Sequence, residues 1–246
     1  TPVAVRDGQR LWLVGSGPTP ALGRALACAL REASGRAVTD VVNTHVAPEL
    51  SLGNSAFPRA RLWALPEVIA AMQQRCGQCL SSLKEQTGAA LAMDDIRVPA
   101  HAVRAGQPLG PFDTLALPRQ QGEPTLLLRD RRSGLVIAQG LLWAGAIPDL
   151  HGTDSALMLD ALDALQRFAG DAPVLGQQGP SAGHEGIEQQ RRYLVALRAA
   201  VNASLAAGRV EQVLPLPEFA TLPGYAELHP LNVQRVWREL EAELFR

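Results

Sequence analysis

Side chains that could bind a metal ion or transfer protons are few and scattered in this chain. Its five histidines are His45, His101, His151, His184 and His229. The strongest candidates for chemistry are His45 and Glu49, because they follow a predicted strand and residues at strand ends are often functional in α/β folds. A zinc site needs three or four imidazole, thiolate or carboxylate donors. These two residues supply two donors at most, so they do not complete such a site alone.

A second candidate is the motif Cys76-Gly77-Gln78-Cys79, which could form a redox dithiol, half of a zinc knuckle or a local disulfide. A zinc knuckle would need further ligands, and the sequence contains no second Cys-x-x-Cys motif. A thioredoxin-like dithiol lies at a helix N-terminus, where the helix dipole lowers the thiol pKa, whereas this motif lies inside a predicted long helix. We therefore favour a buried pair or a short-loop disulfide for Cys76 and Cys79. We expect Cys28 to be a small buried residue.

Composition limits the functional classes. The chain has 246 residues, of which 47% are hydrophobic, and a formal net charge of −1. This apolar fraction supports a real core and excludes intrinsic disorder. The 23 basic residues are balanced by 24 acidic ones, which argues against a nucleic-acid partner. No apolar run reaches the roughly 18 residues of a transmembrane helix, so no membrane span is expected.

The periodicity of apolar residues predicts helices and strands that alternate along much of the chain. The order is strand-helix-strand, then a meander of strands, then alternating helices and strands, which is typical of an α/β or α+β layered protein. Thr19 and Pro20 provide an N-cap and a first-turn proline for the first helix. Residues 45–54 are predicted to form a loop, and we expect a single domain over residues 1–246. Predicted strands cover residues 10–14, 37–44, 61–64, 96–98, 114–117, 125–128, 135–138 and 172–175, and predicted helices cover residues 21–33, 66–86, 154–168, 188–207 and 232–245.

Four segments carry a resemblance to a known family. Residues 13–18 look like a strand and turn ending in Asp-Thr-Gly, and residues 41–57 look like a strand followed by a Thr-His-x-His-x-Asp-His loop. Residues 134–140 look like a strand ending in Gly-Asp, and residues 174–180 look like a Pro-Gly-His-Gly-Pro loop. These motifs resemble the metallo-β-lactamase superfamily from Arg10 onward. The resemblance implies a four-layer αββα sandwich, and we expect this chain to lack part of the N-terminal hairpin.

The C-terminal third narrows the resemblance to one branch of the superfamily. Residues 147–150 (IPDL) and 227–233 (ELHPLNV) are similar to the quinoprotein relay system zinc metallohydrolases, which are related to the SoxH proteins of sulfur oxidation. This branch implies a paralogous or quinoprotein partner protein, or a homodimer. It also implies a periplasmic location, with a cytoplasmic one left open. These expectations rest on the resemblance alone.

The resemblance assigns seven positions of this chain to the ligands of a two-zinc centre, in which the metals activate a shared hydroxide. One position is still His, one carries a longer carboxylate, and five have lost the family's ligand. A glutamine amide is a poor zinc ligand, so we expect neither zinc nor another cofactor. The seven positions are His45, Ala47, Glu49, Leu50, Gln121 (Gln120 if the loop register shifts), Gly140 and Gln178.

A retained scaffold with a lost ligand set favours a pseudoenzyme, a protein that binds a small ligand or a partner protein without hydrolysing it. Ala47, Leu50 and Gly140 remove charge together, so no cluster of buried unpaired ionisable groups is left behind. Glu49 is the exception, and we expect it to be solvated or paired.

Two other hypotheses stay open. The first is an atypical hydrolase with one metal ion held by His45, Glu49 and an unassigned histidine, and zinc is expected only in this case. The second is a thiol-disulfide protein that acts through Cys76 and Cys79.

Overall fold

The structure is a computed structural model that describes residues 1–75, 96–120, 123–181, 184–209 and 214–244. Its strands are β1 (Val3–Asp7), β2 (Arg10–Val14), β3 (Asp40–Val42), β4 (Arg61–Ala64), β5 (His101–Ala102), β6 (Phe112–Gln120), β7 (Glu123–Asp130), β8 (Val136–Ile137), β9 (Val174–Leu175) and β10 (Pro180–Ser181). Its helices are α1 (Pro20–Ser34), α2 (Pro48–Ser51), α3 (described over residues 66–75), α4 (Ser155–Ala169), α5 (Glu185–Ala206) and α6 (Tyr225–Glu243). None of the helices in these ranges is long and apolar enough to cross a membrane.

The strands form two five-stranded sheets, with the orders β1-β2-β3-β4-β5 and β10-β9-β8-β7-β6. The chain divides into two compact units. The expectation of a single domain stays a prediction. The first unit consists of Thr1–Ala116 and Gly122–Ser133, and the second consists of Leu117–Gln121 and Gly134–Arg246.

The first sheet lies in the first unit and begins with a hairpin. β1, which the sequence does not predict, pairs antiparallel with β2 so that Val3 lies opposite Val14. β2, β3, β4 and β5 are parallel to one another. One face of the sheet packs against α1 through a buried apolar cluster, because alternate residues of each strand point to the same side. The cluster includes Leu11, Leu13, Val41 and Leu62 of the strands, against which Leu26, Ala27 and Leu30 of α1 pack.

Two glycines allow α1 to lie close to the chain after α2. A Cβ atom at Gly23 of α1 would lie 2.7 Å from the carbonyl oxygen of Gly53, and a Cβ atom at Gly53 would lie 2.1 Å from the carbonyl oxygen of Ser16. Gly53 also donates its N–H to the carbonyl of Gly17 at 2.9 Å. No side chain fits at these two positions without backbone movement. The glycines therefore fix where the segment after β3 lies in the first unit.

In the second unit, β8 is parallel to β9 and β9 is antiparallel to β10. Asp154 is the N-cap of α4, since it accepts hydrogen bonds from the N–H groups of Ala156 and Leu157 at 2.9 and 3.0 Å. Glu239 of α6 also accepts from the Ser155 N–H at 2.9 Å. Helices α4 and α6 are thereby joined at the start of α4.

Several sequence-based boundaries are wrong, and each has a tertiary reason. The predicted loop at residues 45–54 contains α2, and a 3-10 helix at Leu52–Ala56 follows it. Residues 96–98 are not a strand, because β5 pairs with β4 only from His101. Helix α6 begins at Tyr225 and continues through Pro230, where buried side-chain contacts outweigh the hydrogen bond that a proline removes.

The cysteine predictions have two outcomes. Cys28 is exposed on α1, so the expectation of a buried residue is wrong. Cys76 and Cys79 lie outside the described residues, as does Gln121. The hypotheses on these three positions stay predictions.

Candidate functional site

His45 lies directly after β3, where the main chain is still held by the neighbouring strands. Asn43 donates its N–H to the carbonyl of Trp63 at 2.9 Å, and the carbonyl of Thr44 accepts from the Leu126 N–H at 2.8 Å. The His45 side chain is only 4% exposed, and its Nδ1 lies 3.0 Å from the hydroxyl of Thr44. The retained histidine is therefore a buried and hydrogen-bonded residue at the end of a parallel strand.

Ala47 and Leu50 occupy positions that the resemblance assigns to histidines, and both are buried. Ala47 is the N-cap residue of α2 and is 4% exposed, and Leu50 is 3% exposed. The carbonyl of Leu50 accepts from the Ser16 N–H at 2.6 Å and from the Ser16 hydroxyl at 3.1 Å. Their backbones are thus tied into the fold while their side chains offer only carbon atoms. Neither residue can bind a metal ion.

Glu49 differs from Ala47 and Leu50 because its side chain is exposed. It lies in the first turn of α2. Burial lowers the pKa of the Thr1 amino group, and the charge of Glu49 acts in the opposite direction. Glu49 therefore contributes its charge near the start of the chain. His45 and Glu49 lie four residues apart, yet one side chain is buried and the other is solvated.

A buried polar network that the sequence analysis misses holds this segment in place. The hydroxyl of Ser16 donates to Oδ1 of Asn54 at 2.7 Å, and Nδ2 of Asn54 donates to Oδ1 of Asn43 at 2.7 Å. Asn54 Nδ2 also donates to the carbonyl of Arg97 at 2.9 Å. Ser16, Asn43 and Asn54 are each at most 1% exposed. In the sequence, only the adjacent pair Gly53-Asn54 stands out. The residues that Asn54 contacts lie far from it along the chain, so no local pattern links them.

Gly140 and Gln178 lie in the second unit. Gly140 has φ of 74°, a left-handed conformation that favours glycine over the aspartate that the resemblance expects there. Its N–H donates to Oε1 of Gln177 at 3.1 Å. Gln178 is exposed, and its carbonyl accepts from the Ala144 N–H at 3.1 Å. The backbone conformation at Gly140 thus suits the glycine that is present.

These residues do not fit a two-zinc centre. At the assigned positions that the structure describes, the side chains provide one imidazole, one exposed carboxylate and one glutamine amide. The other residues at these positions have no side-chain donor atom. Two zinc ions need more nitrogen, sulfur or carboxylate donors than this set supplies. Within the described ranges, no three His, Cys, Asp or Glu side chains form a group that could hold a metal ion.

The other histidines have structural surroundings. His229 is 1% exposed inside α6, with Nδ1 3.1 Å from the Tyr193 hydroxyl and Nε2 2.7 Å from the carbonyl of Leu214. Burial lowers the pKa of His229, and burial raises the pKa of Tyr193. His229 therefore packs in the core of the second unit, inside α6.

The remaining histidines lie at or near the surface. His184 is the N-cap residue of α5, with Nε2 3.4 Å from Oδ1 of Asp171. His151 is exposed, and the ring of His101 lies 4.8 Å from the ring of Trp63, centroid to centroid, in a tilted arrangement. None of these contacts joins a second metal-binding side chain to His45.

The comparisons with known proteins define the fold. No protein-family model and no curated protein matches this sequence. Its structure is similar to the metallo-β-lactamase of Hirschia baltica, with a TM-score of 0.63 and 12% identity over 78% of this chain and 84% of that one. The metallo-β-lactamase FIM-1 of Pseudomonas aeruginosa, in its mono-zinc form, gives a TM-score of 0.61 and 16% identity over 78% and 82% of the two chains.

A third similar structure is the metallo-β-lactamase of Erythrobacter litoralis, with β-mercaptoethanol in its active site. It gives a TM-score of 0.61 and 15% identity over 78% of this chain and 83% of that one. The chain therefore has the metallo-β-lactamase fold, and the predicted α/β class with two sheets is confirmed. Identities this low define the fold and leave the narrower branch a prediction.

Proposed function

We propose that this chain is a non-hydrolytic binding protein built on the metallo-β-lactamase fold, a pseudoenzyme without a two-zinc centre. The observation that carries this proposal is the burial of Ala47 and Leu50, at 4% and 3% exposure, beside the retained His45. Apolar side chains at two ligand positions are integrated into the fold. Restoring histidines there would place imidazoles in buried apolar positions, which costs free energy unless they are paired.

The conformation of Gly140 supports the same proposal independently. An aspartate at this position would have to adopt φ of 74°, a left-handed conformation that aspartate tolerates better than most residues but that glycine adopts most readily. The ligand losses are therefore matched by local structure at separate places in the sequence. This is the pattern expected where a scaffold is maintained for binding rather than for metal-dependent hydrolysis.

The partner proposed here is a paralogous or quinoprotein protein of a sulfur-oxidation or relay system, in the periplasm. It rests on the resemblance of residues 147–150 and 227–233. These two segments touch each other, since Asn232 Nδ2 donates to the carbonyl of Pro148 at 2.8 Å and Asn232 Oδ1 accepts from the Leu150 N–H at 3.2 Å. The shared motifs thus form one buried junction of the second unit, which supports a common scaffold.

Metal analysis tests the proposal. The wild-type protein is purified without chelator and then dialysed against equimolar zinc. We expect it to retain far less than one equivalent of zinc, iron or manganese. The variant His45→Ala should give the same metal content, as should the matched control His151→Ala at an exposed histidine. About one equivalent of metal that disappears in His45→Ala alone would overturn the pseudoenzyme and support the mononuclear hydrolase instead.

A further inference from the structure

The first unit has a cleft of about 370 Å³ that lies away from His45. This volume is within the roughly 300–1,000 Å³ range of small-ligand sites. Its lining combines arginines with tryptophans. The residues that matter for the argument are Arg10, Trp12, Arg61, Trp63, Arg104 and Gly110.

Strand register places two arginines of this cleft at the opposite end of the sheet from His45. Arg10 and Arg61 are the first residues of β2 and β4, and both strands are parallel to β3. Trp12 lies opposite Asp40, and Asp40 lies opposite Arg61, so these side chains share one face of the sheet. His45 instead follows the last residue of β3. None of the described positions that the resemblance assigns to zinc ligands lines the cleft.

The charge of the cleft is positive. Arg61 forms an ion pair with the fully buried Asp40, with Nη2 2.6 Å from Oδ1. Asp40 Oδ1 also accepts from Nε1 of Trp63 at 2.9 Å. Asp40 thus neutralises one arginine and fixes the orientation of Arg61 and Trp63. The exposed residues Arg10 and Arg104 form no ion pair within the described ranges, so they leave two positive charges at the cleft.

Trp12 supplies an independent observation that points to a ligand. It lines the cleft and is 1% exposed, and its indole N–H has no hydrogen-bond partner among the described residues. A buried donor without an acceptor is unfavourable, and an acceptor that reaches it relieves that cost. Gly110 packs against this indole with φ of +54°, and a Cβ atom there would lie 2.1 Å from Cζ2 of Trp12. The glycine keeps the indole edge and the cleft wall in contact.

Two aromatic side chains contribute to the lining, which also includes Ala102, Val103, Gln107, Pro108 and Leu109. The guanidinium carbon of Arg61 lies 5.3 Å from the ring centroid of Trp63, and the ring centroids of Trp12 and Trp63 are 6.4 Å apart. Trp63 is half-buried, so part of its ring faces the cleft. Such a surface favours a planar apolar group, whereas the free arginines favour carboxylate or phosphate oxygens.

We propose that this cleft binds small aryl oxyanions, meaning molecules with a carboxylate or phosphate attached to a planar ring. The oxyanion accepts hydrogen bonds from Arg10, Arg104 and the Trp12 indole, and the ring packs on Trp63. This site and the His45 segment are tested with different probes and different variants, so one proposal can fail without the other.

Isothermal titration calorimetry at low ionic strength tests the ligand class. Phenyl phosphate and benzoate are expected to bind, and whichever binds more tightly identifies the preferred oxyanion. Inorganic phosphate should bind at least about tenfold more weakly than phenyl phosphate, because it lacks the ring. Neutral benzamide should give no heat of binding. Equal binding of inorganic phosphate, or no binding of either aryl anion, overturns the proposal.

Matched variants test the site. The double variant Arg10→Ala/Arg104→Ala should weaken aryl-anion binding by at least about tenfold, since two charge-assisted hydrogen bonds are lost. The control Arg24→Ala/Arg31→Ala removes the same charge from exposed positions on α1 and should bind like the wild type. Equal weakening in both variants would mean general charge attraction and would overturn the site.

The indole resonance of Trp12 gives a readout that needs no loss of function. Its 1H–15N signal, assigned by comparison with Trp12→Phe, should move downfield as the aryl anion binds, because the N–H gains an acceptor. A saturating titration that leaves this resonance unmoved places the anion elsewhere and overturns the proposal.

Discussion

The two ends of the first sheet differ in what their side chains can do. After the end of β3, the segment with His45 carries the buried apolar residues Ala47 and Leu50 at positions where the superfamily resemblance expects ligands. At the start of β2 and β4, Arg10 and Arg61 stand beside half-buried and buried tryptophans. One end presents apolar side chains that are packed into the fold, and the other presents arginines and tryptophans at a cleft. The two ends of one sheet therefore differ in which side chains could contact a ligand.

The largest expected effect comes from the glycine that fixes the His45 end. Gly53→Ala should lower the free energy of unfolding by at least about 3 kcal/mol, because its Cβ would lie 2.1 Å from a backbone oxygen that cannot move easily. Urea unfolding measures the loss. Gly35→Ala serves as the control, because it has φ of +69° and open space around it, and it should cost about 1 kcal/mol. Equal losses of unfolding free energy in the two variants would mean that the close packing around Gly53 contributes nothing to stability.

The second-largest effect is expected from Asp40, at the other end of the first sheet. Asp40→Asn removes the charge that holds Arg61 and Trp63, and we expect a loss of about 1–3 kcal/mol, reduced from the value for a fully buried pair because the Arg61 side chain is 39% exposed. Aryl-anion affinity should fall in the same variant, because Arg61 and Trp63 lose their fixed orientation. Chemical unfolding and calorimetry measure the two changes. Metal content should not change.

The control for this ion pair is Asp113→Asn. Asp113 is 49% exposed and lies 3.8 Å from Arg131, so its loss should cost less than about 0.5 kcal/mol. If Asp113→Asn destabilised the protein as much as Asp40→Asn, the argument that Asp40 organises the cleft would be wrong.

The smallest effect is expected from His229, a buried histidine outside both ends of the first sheet. Burial lowers the pKa of His229, so the unfolded chain takes up a proton at this residue more readily than the folded one. Its contribution to stability is therefore present above the unfolded pKa of about 6.5 and is lost as the pH falls below it. His229→Gln should flatten the decline in unfolding free energy between pH 7 and 5. The exposed control His151→Gln should leave the decline as it is in the wild type.

The sequence predicts best what depends on neighbouring residues. Strands β2 and β4 have the predicted bounds, and Thr19 caps α1 as expected, with Oγ1 accepting from the Leu22 N–H at 3.2 Å. Asp154 caps α4 in the same way. Caps and alternating apolar residues act within a few positions of the chain, so the sequence carries them directly.

Prediction fails where distant residues decide the outcome. Helix α2 is short and forms where Leu50 can accept from Ser16, which lies 34 residues earlier. Helix α6 begins before Pro230 because His229 and Asn232 meet Tyr193 in the core. Neither contact has a local sequence pattern, since each needs partners from another element.

By itself, the sequence determined which donors the chain possesses. The positions that the resemblance assigns to zinc ligands hold one histidine, His45, and one carboxylate, Glu49. How those two side chains are placed depends on the tertiary structure, because burial and register involve the whole sheet. The tertiary structure buries His45, exposes Glu49, and brings Arg10, Arg61 and Arg104 to one cleft beside the unpaired indole N–H of Trp12.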